Sequence, residues 1–352
     1  MDATLARLSD RIRAAHAART PLRLCGTGSK DFYGERCVGD VLDLREYRGI
    51  VAYDPSELVL TARCGTPLSE VASVLEERRQ FLAFEPPRFG GDPSIGGIVA
   101  AGLSGPRRAG AGAVRDFVLG ASLLAVDGTL LRFGGQVMKN VAGFDVARLL
   151  CGSLGILGPI AEMSLKVMPR PRTEATVRFE MSAAVALDHF NRWCAQPLPI
   201  SATAWCDGQA YVRLSGARSA VQTGQAIIGG EAIDEELAHH WWRGVRDHSL
   251  DVFRMTPRLW RVSLPSTAAF DLPGVALIEW AGALRWLQSD APATEIRAAA
   301  QQAGGSAMLW RGTRDTSMFH PLDAANLALH RRLKQQFDPH GIFNPGRLVA
   351  DL

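Results

Sequence analysis

The chain has 352 residues and lacks the common nucleotide-binding fingerprints. No G-x-x-x-x-G-K-[ST] loop occurs. The dinucleotide fingerprint G-x-G-x-x-G also fails, because Gly26 and Gly28 are followed by Asp31 where the third glycine belongs. Gly152, Gly155 and Gly158 have the wrong spacing and lead into a strand-like IAEMSLKVM instead of a helix. These gaps exclude P-loop and Rossmann sites. Long apolar runs are missing too. VLGASLLAV (118–126) is far short of the roughly 20 residues that span a bilayer. The N-terminal MDATLARLSDRIRAAHAAR has no apolar core of the signal-peptide kind. The six cysteines (Cys25, Cys37, Cys64, Cys151, Cys194 and Cys206) are scattered, with no C-x-x-C pair. That usage points to free thiols in a reducing cytoplasm and to no metal site. A net charge of +3, with no basic run carrying interleaved aromatics, excludes nucleic acid and anionic membrane as partners.

Glycine, by contrast, is concentrated. Four glycine-bearing segments follow one another: PPRFGGDPSIGGIVAAGLSGP (86–106), RDFVLGASLLAVDGTLLRFGG (115–135), KNVAGFDVARLLCGS (139–153) and LGILGPI (154–160). An earlier loop, Gly26-Thr27-Gly28-Ser29-Lys30, follows the short apolar strand 22–24. Glycine loses the most backbone entropy on folding, so this clustering implies close backbone approach to a large, phosphate-bearing ligand. Successive N–H groups, two hydroxyls and a cation in 26–30 suit an anion.

The periodicity predicts a first helix over about 3–18, then strands at 22–24, 41–44, 51–54 and 58–65. A helix follows, with Thr66 as N-cap and Pro67 in its first turn. Asp127-Gly128 predicts a hairpin with a type I′ turn. Arg115 and Asp116 are expected to begin a strand, and VAGFDVARLLC to form a helix. Beyond Pro169 and Pro171 the elements read β-α-β-β-α, and then a looser second set at 258–265, 275–280, 294–303 and 306–310, a ferredoxin-like or doubled split βαβ pattern. A last helix covers 322–337. The fold class is α+β, divided as 1–171, 172–320 and 321–352.

In order, the glycine segments and the terminal LKQQFDPHGIFNPGR (333–347) resemble the flavin-binding domain of the vanillyl-alcohol-oxidase and p-cresol-methylhydroxylase superfamily. Within it the chain is most similar to the smaller FAD-binding subunits of bacterial glycolate oxidases. The resemblance implies a two-lobed FAD-binding domain with an α+β cap. It carries the cofactor role onto Gly26, Thr27, Gly28, Ser29 and Lys30, then onto Asp92, Ser94, Ile95, Gly96 and Gly97, with Gly96 and Gly97 offering N–H groups at a helix start. Arg115, Asp116, Lys139, Asn140, Gly143 and Asp145 follow, and Gly152, Ser153, Gly155 and Ile160 complete the site. Relatives that tether flavin use a His or Cys in the first two glycine segments. Here position 27 is Thr, and 86–102 holds neither, so the resemblance implies dissociable FAD, with Cys25 the one residue able to upset this.

Oxidation of a 2-hydroxy acid requires a cation for its carboxylate and a base for its hydroxyl. Arg311, Arg314 and Arg347 are the cationic candidates, and His320 is a further catalytic candidate. The catalytic base is unassigned. His320 and His330 would point to different faces of a helix, and adjacent His239, His240, Trp241 and Trp242 diverge likewise, so no metal is expected. The larger catalytic relatives carry a His-x-x-x-[GD]-G-x-x-H signature that is missing from 172–330. The expected role is therefore the FAD subunit of a complex that oxidises glycolate to glyoxylate. Its partners would be a larger FAD-containing subunit and an iron–sulfur subunit, and any membrane contact would run through them. A self-sufficient FAD oxidoreductase and a non-catalytic flavin-binding assembly subunit remain the alternatives.

Overall fold

Asp2 starts the first helix, α1 (Ala3–Ala18), by accepting from the backbone N–H groups of Thr4 and Leu5, a side-chain cap on otherwise orphaned donors. Leu5, Leu8 and Ile12 recur at helical spacing and are buried. The computed structural model describes residues 2–135, 145–254, 258–269, 272–350 and 352. Two compact units result: Met1–Leu103, Ala113–Pro169 and Pro321–Leu352 form one, and Ser104–Gly112 with Arg170–His320 the other.

After α1 come β1 (Leu22–Cys25), β2 (Asp40–Asp43), β3 (Ile50–Asp54), β4 (Val59–Arg63), α2 (Leu68–Glu77), β5 (Gln80–Phe81) and α3 (Ile95–Ala101). The chain then visits the second unit with α4 (Arg108–Ala111) and returns with β6 (Val118–Leu124), β7 (Leu130–Gly134), α5 (Val146–Leu149), β8 (Ile160–Lys166) and β9 (Met168–Pro169). β1 and β2 pair in parallel, while β3-β4-β8-β6-β7 form an antiparallel sheet. Ile95, Ile98 and Val99 of α3 bury against Leu60, Met163 and Leu165 of that sheet. These pairings make two small lobes, and β1 lies in the one built around α1.

Three local expectations change. Helix α2 starts at Leu68 with Pro67 at its cap position and no side-chain cap of its own. Thr66 instead donates its hydroxyl to the Arg63 carbonyl at 2.6 Å, and Asp92 reaches across to accept from the Ser69 N–H at 3.0 Å. Arg115 and Asp116 lie in a 3-10 turn (Val114–Phe117), not in the strand, because Asp116 accepts from the Ala113 N–H and tightens the chain there. In the turn that joins β6 to β7, between Ala125 and Thr129, only Gly128 has a positive φ, of 77°. The Ala125 N–H donates to Thr129 O and the Gly128 N–H to Ala125 O, so the loop is one residue longer than a type I′ turn allows. Of the helix expected over VAGFDVARLLC, Val146–Leu149 is formed, and 141–144 lie outside the described residues.

The second unit continues with β10 (Thr173–Glu180), α6 (Ala183–Cys194), β11 (Ile200–Cys206), β12 (Gln209–Gly216), α7 (Arg218–Ile228), β13 (Glu231–Ala232) and α8 (Glu235–Asp247). It closes with β14 (Leu259–Ser263), β15 (Val275–Glu279), β16 (Leu284–Gln288), α9 (Ala293–Gln302) and β17 (Ser306–Arg311). Its sheet runs β13-β10-β12-β11-β15-β16-β14-β17. Each half repeats the split βαβ strand order, and antiparallel β11–β15 pairing joins them. The expected α+β cap is therefore a doubled one, with β16 an added strand the sequence reading did not mark. Helices α6 and α7 cover Val177, Val212 and Leu214. Trp242 of α8 packs against Ala202 and Ala204 and donates its indole N–H to Thr176. The visiting segment is fixed within this unit: Arg107 pairs with Glu174, and Trp280 donates its indole N–H to Gly105 O at 3.1 Å. Last, α10 (Ala324–Phe337) and the tail rejoin the first unit.

Candidate functional site

One open cavity in the first unit encloses about 900 Å³, solvent included. The loop after β1 contributes Gly26, Thr27, Gly28, Ser29 and Lys30, and the start of α3 contributes Ser94, Gly96 and Gly97. Gly155 and Ile160 face it from the entry to β8. The structure thus brings half of the sequence-derived cofactor residues to one concave surface, the usual form of a ligand site.

The 26–30 loop supplies donors. Gly28 has a φ of 76°, a turn conformation that a side chain would strain, and the Asp31 N–H closes the turn onto Gly28 O at 3.0 Å. Among the described residues no acceptor takes the N–H of Gly26, Thr27, Gly28 or Ser29. Lys30 Nζ lies 3.4 Å from the Ser29 hydroxyl. Arg23, Lys30 and Arg347 are the cationic lining residues, against a single acidic one, Asp31, which pairs with Arg23 at 3.7 Å. Successive unengaged amides in a net-positive concavity are what a diphosphate requires. The residues fit the phosphate-bearing part of FAD.

At the start of α3 the donors are already engaged, contrary to the expected N–H supply. Gly96 donates to Cys64 O at 2.8 Å and Gly97 to the Ser94 hydroxyl at 3.3 Å. Gly96 is small for another reason: a Cβ there would stand 2.7 Å from Cys64 Cβ. It lets α3 press on the end of β4.

The remaining candidates lie elsewhere. Asp92 serves α2, Ile95 is fully buried in the core, and Arg115 and Asp116 are exposed. Asp145 caps α5 through the Arg148 N–H at 3.1 Å. Gly152 and Ser153 shape the turn before Gly155, whose N–H approaches the Ser153 hydroxyl at 3.4 Å. Lys139, Asn140 and Gly143 lie outside the described residues.

The C-terminal FNPGR segment buttresses the cavity. Leu22 exchanges backbone bonds with this tail, its N–H donating to Ile342 O at 2.7 Å and its carbonyl accepting from the Asn344 N–H at 2.9 Å. The Asn344 side chain accepts from the Leu24 N–H at 2.7 Å and donates to Leu154 O at 2.7 Å, tying the first and last glycine segments together. Arg347 does not aim a free cation at the cavity. Its guanidinium donates to the carbonyls of Glu35 (3.0 Å), Asp31 (3.0 Å) and Tyr33 (2.6 Å). It is a brace for residues 30–35.

Sequence reasoning missed Asn344, Tyr33, Cys37 and Cys64 as lining residues. Asn344 was within reach, because Asn-Pro-Gly-Arg is a turn sequence in a motif already singled out. Burial pushes the thiols of Cys37 and Cys64 up. Cys25 is not among the lining residues.

The catalytic candidates outside this cavity belong to the second unit. Arg311 donates to Phe253 O at 3.2 Å, Arg314 is exposed, and His320 Nδ1 accepts from the Ala307 N–H at 3.3 Å. Burial and then the charge of Arg297 lower the His320 pKa. Among the described residues no group of three or more His, Cys, Asp or Glu is placed to hold a metal.

Comparison with known proteins adds identity. The FAD binding domain family matches residues 3–134, and the C-terminal domain family of FAD linked oxidases matches 314–348. The glycolate oxidase subunit GlcE of Escherichia coli is 46% identical over 98% of this chain and 97% of its own length. The glycolate oxidase subunit GlcD of Bacillus subtilis is 32% identical over 45% of this chain and 34% of its own. Among solved structures, p-cresol methylhydroxylase superposes with a TM-score of 0.72 at 15% identity, covering 99% of this chain and 87% of its own, a likeness of fold. A cavity fitted to a diphosphate, the paired domain matches and an end-to-end relative agree: the chain belongs to the FAD-binding oxidoreductase family that includes glycolate oxidase subunit GlcE.

Proposed function

We propose that this chain is the FAD-binding subunit of a heteromeric glycolate oxidase, oxidising glycolate to glyoxylate and passing electrons to an iron–sulfur partner. The observation that carries this reading is the end-to-end likeness to a glycolate oxidase subunit. The chain has no cysteine cluster to ligate an iron–sulfur centre, so such a centre would belong to a partner.

FAD supplies the two-electron acceptor for the substrate C–H bond. The chain's own contribution is positional. The amides of Gly26 to Ser29 and the Lys30 ammonium receive the diphosphate. Asn344 and Arg347 brace the chain on either side of that loop, and Gly155 and Ile160 also line the cavity. Position 27 is Thr and 86–102 hold no His or Cys, which supports dissociable FAD.

Co-purification of the tagged chain from its native cells tests the reading, with flavin, iron and partner subunits measured together. The expected result is stoichiometric flavin, released into the supernatant by acid precipitation, with iron present only in fractions that contain a partner. Glycolate should bleach the flavin of the complex. Bleaching of the isolated chain would favour a self-sufficient enzyme, and a colourless chain would overturn the flavin role.

A further inference from the structure

Phe89 has a φ of 53°, a left-handed backbone that is an outlier for a bulky side chain. Glu85 (48°) and Gly90 (77°) in the same loop are also positive. Strain of this kind persists where surrounding contacts impose it, and it clusters at functional sites. The contacts here are specific. The Phe89 and Phe32 rings make a T-shaped contact at a centroid distance of 5.1 Å and an interplanar angle of 87°. Lys30 Nζ stands 5.6 Å from the Phe89 centroid. A Cβ on Gly91 would lie 3.4 Å from Ser29 Cβ. Phe89 itself does not line the cavity, whereas Lys30 and Ser29 do.

We propose that Phe89 is a positioning residue for the cofactor. Its ring, forced under the Lys30 ammonium by the left-handed backbone, holds that charge at the diphosphate end of the cavity. A lysine has a long, flexible stem and no fixed geometry of its own. The electron-rich ring face attracts the ammonium electrostatically and so favours one placement of the flexible stem. Phe32, two residues beyond Lys30, holds the ring through the T-shaped contact. The inference rests on the reading of this cavity as the FAD site.

The test is FAD binding to apoprotein, followed by quenching of flavin fluorescence in Phe89→Leu, Phe89→Tyr, Lys30→Met and the Phe89→Leu/Lys30→Met double variant. Phe89→Leu should weaken FAD by about fivefold, and Phe89→Tyr should restore wild-type affinity. In the Lys30→Met background, Phe89→Leu should have no further effect, because the residue it positions is gone. An equal loss from Phe89→Leu with and without Lys30 would overturn the proposal, since the ring would then act by packing alone. Unchanged affinity in Phe89→Leu would overturn it as well. Wild-type apoprotein that fails to bind FAD would instead refute the cavity assignment.

Discussion

Lys334 and Asp338 form a buried ion pair in the last turn of α10, 2.7 Å apart. The ammonium also donates to Ile156 O at 2.8 Å and Phe343 O at 2.7 Å. The carboxylate accepts from the Ile342 N–H at 3.0 Å and the Phe343 N–H at 2.7 Å. Every donor on the ammonium is therefore used, and the pair fixes the point at which the tail turns back to β1. Burial lowers the Lys334 pKa, with Asp338 opposing.

Removing one partner leaves the other charged and dry, which costs about 3–5 kcal/mol. Asp338→Asn should lower the denaturant midpoint accordingly. It should also weaken FAD binding, because Asn344 and Arg347 lie on the segment it anchors. Equilibrium unfolding of the apoprotein and flavin titration check the two effects separately.

Arg347→Lys keeps the charge but loses the planar fork that reaches several carbonyls of residues 30–35. Hydrogen bonds to charged groups are worth about 1.5–3 kcal/mol. FAD affinity should fall by about tenfold or more, with little change in the secondary-structure content seen by circular dichroism. Unaltered flavin affinity would show that the brace is dispensable.

Gly28 and Gly96 line the same cavity for different reasons, and substitution should separate them. Gly96→Ala must push Cys64 aside and should destabilise the apoprotein by about 1–3 kcal/mol. Gly28→Ala should cost about 1–2 kcal/mol through its left-handed backbone and should also weaken FAD by re-aiming the loop amides. Thermal unfolding and flavin titration of both variants give the comparison.

His248 stacks on Phe253 at 4.2 Å and meets the rings of Trp286 and Trp310. Desolvation, and then Arg261 and Arg311, lower its pKa. His320 is lowered as well. A lowered folded-state value means that the unfolded chain takes the proton first as pH falls. The stabilisation is complete above the ordinary imidazole range, about 6.5, and is lost as pH drops through that range towards the folded values. Urea midpoints should fall between pH 7.5 and 5. They should fall less in His248→Asn, a residue that tolerates the left-handed φ of 53° at this position.

Much of this was legible in the sequence. Hydrophobic spacing marked α1 and α10 within two residues, and the alternation after Pro171 marked the split βαβ pattern, because periodicity reports burial directly. The 26–30 loop was legible because glycine, hydroxyl and lysine side by side admit few explanations. Other features were hidden for physical reasons. The turn at Asp127-Gly128 depends on the pairing of Ala125 with Thr129, which a dipeptide does not encode. Gly96 looks like an anion site in sequence, and only the position of Cys64 reveals its packing role. The excursion of Ser104–Gly112 into the second unit rests on Arg107 and Glu174, residues far apart in the chain. Arg347 reads as a catalytic cation until its carbonyl partners are seen.

The pairing of β1 with Ile342 and Asn344 has a consequence for the life history of the molecule. The loop that follows β1 is made roughly 300 residues before Ile342 and Asn344, which hold it in shape. On the proposed reading of this cavity, a nascent chain has no finished cradle until residues 342–347 have been delivered to β1.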